Sequence, residues 1–133
     1  MDPSSPTVAK LQAAGIRPST QRLVIAEYVL STTDHPSADR VFEIVHDRLP
    51  MVSRATIYNT LNLFSDKGLL KRVTLTEGRV VFDPNTEPHH HIIDESTGDI
   101  YDVPWNKLKV SGLDRLEGFE ISEHQVVLRG RRS

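Results

Sequence analysis

Apolar residues return at every third or fourth position through the first half of the chain, and the period shortens to two soon after Gly68. The longer period predicts four short helices, each with a chemical start or stop. Val8, Leu11 and Ala14 fall on one face, and Gly15 is placed to end that segment. Ser19 can cap a second segment, whose Leu23, Ala26 and Leu30 share a stripe that runs out at Ser31, Thr32 and Thr33. After Pro36, Ser37 caps a third, with Val41, Ile44, Val45 and Leu49 as its buried side before Pro50. Ser53 caps a fourth, in which Ile57, Leu61 and Phe64 line the inward face and Gly68 closes the helix.

Beyond Gly68, Leu70, Arg72, Thr74 and Thr76 alternate with Lys71, Val73 and Leu75, and a turn at Glu77-Gly78 leads into Arg79–Asp83. That pattern is a β-hairpin following a helical bundle, the order of elements in a winged helix, where the last helix enters the major groove of DNA. Pro84 and Pro88 then break the chain. His89–Asp94 and Asp99–Val103 read as two strands around a Ser96-Thr97-Gly98 turn, residues 107–117 as weakly helical despite Gly112, and Phe119–Leu128 as a final strand. Arg129–Ser133 reads as a basic, frayed tail. The expected class is α+β, with a winged-helix DNA-binding domain over residues 1–84, a hinge over 85–88 and a small α/β domain over 89–133.

The fourth helix shows an unusual outer face. Arg54, Ala55, Tyr58, Asn59 and Asn62 place a guanidinium, a phenol and two amides opposite the apolar side. Those groups reach phosphates and base edges, whereas a solvated helix surface more usually carries Glu and Lys pairs. Arg72 and Arg79 are candidate wing contacts. The charge distribution adds little: the net charge is −2, with ten Lys and Arg against nine Asp and Glu over residues 1–84 and six against nine over 85–133.

The 133 residues contain no cysteine, which excludes disulfides, thiolate zinc sites and thiol redox sensing. Any metal must be held by nitrogen and oxygen. His89, His90 and His91 supply imidazoles, with Asp83 before them and Asp94, Glu95, Asp99 and Asp102 behind, a donor set suited to Fe(II), Mn(II) or Zn(II). His89 and His91 are two apart on a strand, so both face the same side. The run is internal and followed at once by Ile92 and Ile93, which argues against an affinity tag. Two lobes this small bury little surface, so self-association is expected. No apolar run approaches a membrane span or signal peptide, and the reading is a soluble, cytoplasmic protein with no membrane partner.

Together, Gly15-Ile-Arg-Pro-Ser-Thr-Gln-Arg22, His35-Pro-Ser-Ala-Asp39, Ser53-Arg-Ala-Thr-Ile-Tyr-Asn-Thr-Leu61, Phe82-Asp83, His89-His-His91 and Gly98-Asp-Ile-Tyr-Asp102 resemble the ferric uptake regulator (Fur) family of bacterial metal-dependent repressors, most closely its peroxide-sensing PerR branch. The resemblance implies a regulatory metal, Fe(II) or Mn(II) with Zn(II) as a possible occupant, held by His35, Asp83, His89, His91 and Asp102. One ion would then tie the two lobes together across the hinge and let a homodimer present two recognition helices to double-stranded operator DNA. An aspartate at position 102 is similar to the peroxide sensors, in which Fe(II) drives oxidation of ligands at the positions of His35 and His89. The resemblance also gives Arg17 a minor-groove role, with Arg54, Tyr58, Asn59 and Asn62 as the other DNA-facing residues.

Two features depart from the family pattern. The structural zinc bound by two Cys-x-x-Cys pairs has no counterpart, since Asp94 and Thr97 stand in the first pair's place and the second is absent from Arg129–Ser133. Dimer stability is therefore expected to rest on sheet pairing and on apolar residues such as Ile93, Ile100, Ile121 and Val127. The accessory metal site is incomplete, with Pro88 and Lys109 at two of its positions, which makes His124 a surface histidine. The competing readings are an iron- or haem-responsive regulator of the Irr type, a metal-indifferent DNA-binding module, and a small metalloenzyme built on His89-x-His91 and Glu95. The last requires many consecutive strands, and the first half of the chain is helical.

Overall fold

The structure, a computed structural model, describes residues 2, 4–75 and 78–133. It divides into two compact units, Met1–Thr86 and Glu87–Ser133. In the first, α1 (Pro6–Ala13), α2 (Thr20–Val29), α3 (Ala38–Arg48) and α4 (Arg54–Asp66) precede the antiparallel pair β1 (Lys71–Thr74) and β2 (Val80–Asp83). Each helix starts where a serine side chain accepts a backbone amide three residues on: Ser5 from Val8, Ser19 from Arg22, Ser37 from Arg40 and Ser53 from Thr56. Such caps satisfy amides that the helix itself leaves without partners. Gly15 (φ 76°) and Gly68 (φ 83°) turn the chain out of α1 and α4 through the left-handed region.

A single apolar core fills this unit. Leu11, Ile25, Val41, Ile57, Leu61 and Phe64 are fully buried, and Leu70 and Phe82 extend the core under the hairpin. The buried face of α2 differs from the sequence expectation: Val24, Ile25, Ala26 and Val29 are covered, while Leu23 and Leu30 pack only at the margin. A helix held between α1, α3 and α4 presents a wide side to the core, wider than one stripe. On α3, Val41 and Val45 are buried with Ala38, whereas Ile44 is only half-buried. In the hairpin, Val73 and Leu75 face inward and Arg72 and Thr74 outward, as the alternation requires. Thr76 and Glu77, part of the expected strand and turn, lie outside the described residues.

In the second unit, β3 (His89–Asp94) is the middle of a three-stranded sheet, antiparallel to β4 (Ile100–Pro104) and parallel to β5 (Val127–Gly130). Two sequence expectations fail here. Residues 107–117 form no α-helix; Trp105–Lys107 and Leu113–Arg115 make short 3₁₀ turns, and Gly112 sits at φ 89°, a conformation incompatible with helix. The last strand is four residues long and starts at Val127, not Phe119. Instead of fraying at once, the tail contributes Arg129 and Gly130 to β5, and the Arg132 guanidinium carbon lies 4.7 Å from the Tyr101 ring centroid. Ile100 is the buried apolar side chain of this unit among the described residues, and Leu116, Phe119, Ile121 and Leu128 remain exposed.

Candidate functional site

The histidine triplet splits between the two faces of β3, as a period of two demands. His91 pairs with Asp102 across the antiparallel ladder, and His89 lies diagonally beside the same aspartate. One carboxylate oxygen therefore meets both rings, with Asp102 Oδ1 3.3 Å from His89 Nε2 and 3.6 Å from His91 Nε2. The other ring nitrogens face acceptors. His89 Nδ1 stands 2.6 Å from the Glu87 carbonyl oxygen, and His91 Nδ1 stands 3.1 Å from Gln125 Oε1. A carbonyl oxygen accepts only, so Nδ1 of His89 carries a proton and Nε2 is the ring atom turned toward Asp102. Two imidazole Nε2 atoms and a carboxylate oxygen thus converge, a grouping that suits a divalent cation; outer acceptors of this kind orient metal-ligating histidines. Both rings are almost completely buried, so neither is a simple surface histidine.

His35 and Asp83 meet in the first unit. His35 occupies the turn between α2 and α3 at φ 51°, the left-handed region that a non-glycine residue adopts at a cost of the order of 1 kcal/mol. The Phe82 amide donates to the Pro36 carbonyl at 2.9 Å, tying the end of β2 to this turn. His35 Nε2 and Asp83 Oδ2 are consequently 3.2 Å apart, both side chains buried, while Asp83 Oδ1 accepts from the Asn85 amide at 2.9 Å. Two further donors of the type a divalent transition metal requires are thus positioned within this unit.

Gln125 was not among the residues singled out from the sequence, and nothing local marks it. It sits two residues before Val127, which pairs with His91, so the parallel ladder carries it to the ring. Replacing an outer partner of a metal-binding histidine weakens metal affinity by about 10-fold to 100-fold. Gln125→Ala is therefore expected to weaken Mn(II) binding within that range in calorimetric titration, without changing the number of sites.

On the opposite face, His90 is stacked on Trp105, with centroids 4.6 Å apart and planes at 14°, and its Nδ1 accepts from the Val126 amide at 2.9 Å. Burial, reinforced by neighbouring His124, holds its pKa below the ordinary histidine value. His124 is not the bare surface residue expected: its ring lies 4.6 Å from Trp105 and is half-buried. Where cysteines would begin a zinc site, Asp94 Oδ1 accepts from the Ser96 amide at 2.9 Å and hydroxyl at 2.6 Å, which lowers its pKa. This is a hydrogen-bonded turn, and a chain without cysteine does not fit a thiolate zinc.

The DNA-facing candidates divide by contact. Tyr58, Asn59 and Arg54 lie on the exposed side of α4, and Arg17 is exposed on the loop before α2, where its carbonyl accepts from Arg22 Nη1 at 2.8 Å. Asn62 is half-buried and accepts a hydrogen bond from Arg72. Among the described residues, no helix is long and apolar enough to cross a membrane.

Comparison with known proteins agrees with this geometry. The ferric uptake regulator family matches residues 13–129. The chain is 36% identical over 126 residues to the peroxide-responsive repressor PerR of Staphylococcus epidermidis, spanning 93% of this chain and 84% of that protein. Among solved structures it is similar to a zinc-bound manganese uptake regulator, with a TM-score of 0.72, 25% identity and coverage of 97% of this chain and 100% of that one. It is also similar to the ferric uptake regulator of Pseudomonas aeruginosa with manganese, with a TM-score of 0.70, 25% identity and coverage of 96% and 98%. The chain belongs to the ferric uptake regulator family, whose members are transcriptional regulators and not enzymes.

Proposed function

We propose that this protein is a metal-dependent repressor that binds operator DNA as a homodimer and releases it when hydrogen peroxide oxidises a ligating histidine. The observation that carries the reading is the pair of imidazole Nε2 atoms turned onto one Asp102 oxygen, with both Nδ1 atoms occupied by outer acceptors. Three donors make an incomplete shell for Mn(II) or Fe(II), which favour higher coordination, and the buried His35 and Asp83 are assigned as the further ligands. Because these five residues lie on both sides of residues 85–88 in the sequence, DNA binding becomes conditional on the ion.

The polar face of α4 supports DNA reading by the exposed Arg54, Tyr58 and Asn59 and the half-buried Asn62, with Arg17 on the loop before α2. The thin apolar core of the second unit and its exposed Leu116, Phe119 and Ile121 support pairing with a second copy. The similarity to a peroxide-responsive repressor supports peroxide as the signal. Iron(II), when bound, would lend the electron that splits hydrogen peroxide beside the ligands and would recover it from the oxidised ring. A ring carbon of His35 or His89 then takes up oxygen, the net change being imidazole plus hydrogen peroxide to oxo-imidazole plus water. The oxidised ring has N–H groups of amide character and no basic lone pair to donate, so the ligand set falls apart and the DNA is released.

The test compares Fe(II)-loaded and Mn(II)-loaded protein after hydrogen peroxide. Peptide mass spectrometry is expected to find one added oxygen on His35 or His89 in the iron form alone, with loss of DNA retention in the same sample. Oxidation in neither form overturns peroxide sensing and leaves a repressor that answers to metal supply.

A further inference from the structure

Arg54 opens α4, but its guanidinium is already engaged within the first unit. Nη1 donates to Asp39 Oδ1 at 2.9 Å, and the guanidinium carbon lies 4.3 Å from the centroid of the Phe42 ring. Both partners belong to α3, so helix packing creates the arrangement. The ion pair remains open to solvent, with the two side chains 59% and 67% exposed. A carboxylate on a face that meets a polyanion opposes binding to every phosphate near it. An effect on affinity alone would thus be unfavourable, which leaves an effect on selectivity.

We propose that Asp39 is a specificity-determining residue for DNA: it holds Arg54 over Phe42, so that the guanidinium is offered to a base edge and withheld from backbone phosphates. The proposal rests on the reading of α4 as the recognition helix. Magnitudes separate the two uses of Arg54. An exposed ion pair of this kind shifts an equilibrium by about fivefold at most. A bidentate contact from arginine to a guanine edge discriminates by about fivefold to a hundredfold, and the Nε and Nη2 side of the guanidinium can make it while Nη1 stays on Asp39. A phosphate contact by the same group is made beside the repelling carboxylate and gains little, so random sequence profits least from Arg54 while Asp39 holds it. Arg72 provides the contrast. It too lies near an aromatic ring, 5.8 Å from the Phe82 centroid, but its acceptor is the neutral Asn62 amide, so its charge is not offset. Asp39, Tyr58, Arg72 and Arg79 also border one groove of about 380 Å³.

The experiment uses full-length, Mn(II)-loaded protein on two duplexes across a salt series: one selected from a random library by the unaltered protein, the other of random sequence and equal length. Asp39→Asn is expected to tighten binding to the random duplex about fivefold, to change binding to the selected duplex less than about twofold, and to steepen the salt slope on the random duplex by about one. Asp39→Glu keeps the charge and is expected to recover most of the discrimination. In an Arg54→Ala background, Asp39→Asn is expected to leave the ratio of the two affinities unchanged. An equal gain on both duplexes that persists without Arg54 overturns the proposal, because Asp39 then acts only as a repelling charge. If Arg54→Ala and Tyr58→Ala both leave binding to the selected duplex intact, α4 is not the reading helix, and the proposal falls with that assignment.

Discussion

Asp102→Ala is expected to weaken Mn(II) binding by at least about 100-fold, because it removes the oxygen on which both His89 and His91 converge. The metal-free protein should fold as before, since Asp102 is 38% exposed and contributes no apolar packing. The difference appears on adding metal. An ion present at about 100 times its dissociation constant stabilises the folded state by about 2.7 kcal/mol, so the unaltered protein should show a clear rise in Tm. A 100-fold loss of affinity reduces that contribution to about 0.4 kcal/mol, and the rise should nearly vanish. Thermal unfolding with and without Mn(II) measures this directly. A variant that keeps the full metal-dependent rise would remove Asp102 from the ligand set.

The largest effect on stability is expected from Phe64→Ala. Phe64 is fully buried on the inward side of α4, in the same cluster as Leu11, Ile25, Val41 and Leu61. Deleting a buried phenyl ring costs about 3–5 kcal/mol, combining lost transfer energy with the cavity left behind. Domains are stable by only about 5–15 kcal/mol, so a large part of the population should unfold under mild denaturant. Met51→Ala serves as the comparison: Met51 is 94% exposed, and its removal should change stability by no more than about 0.5 kcal/mol. Equal urea midpoints for the two variants would mean that α4 is not backed by this core.

The first unit was largely legible in the sequence because its information is local. The serines that start α2, α3 and α4, a glycine after α1 and another after α4, and apolar residues at helical spacing all act within a few positions of one another, whereas the Ser5 cap of α1 was not read from the sequence. The common face of His89 and His91 was legible for the same reason, as strand alternation is a property of neighbouring residues. The extent of α2's buried side was not. It depends on how many other helices touch α2, which periodicity along one segment does not encode.

The second unit shows where local reasoning fails. The spacing of residues 107–117 suggested a helix, but Gly112 at positive φ and weak amphipathicity leave only short 3₁₀ turns. Alternation in residues 119–126 suggested strand, yet a strand requires a neighbour to bond with, and β3 accepts a partner only from Val127 onward. That parallel register is also what brings Gln125 to His91 and the Val126 amide to His90, contacts across 34 and 36 residues. A register of that kind is chosen by the whole sheet, and no residue within the segment announces it.

The amino-acid sequence alone determined the donor chemistry of this protein: nitrogen and oxygen ligands without sulfur, two imidazoles on one strand face, and a capped helix with a polar, amide-rich outer side. Tertiary structure decided which ring nitrogens converge on Asp102, which outer acceptors fix the histidine rings, and that Arg54 is held by Asp39 over Phe42. The reason is physical. Residue type and short-range period set what a side chain can bind and which way it faces. Contacts between groups far apart in the chain exist only after the packing of helices and the pairing of strands have fixed their separation.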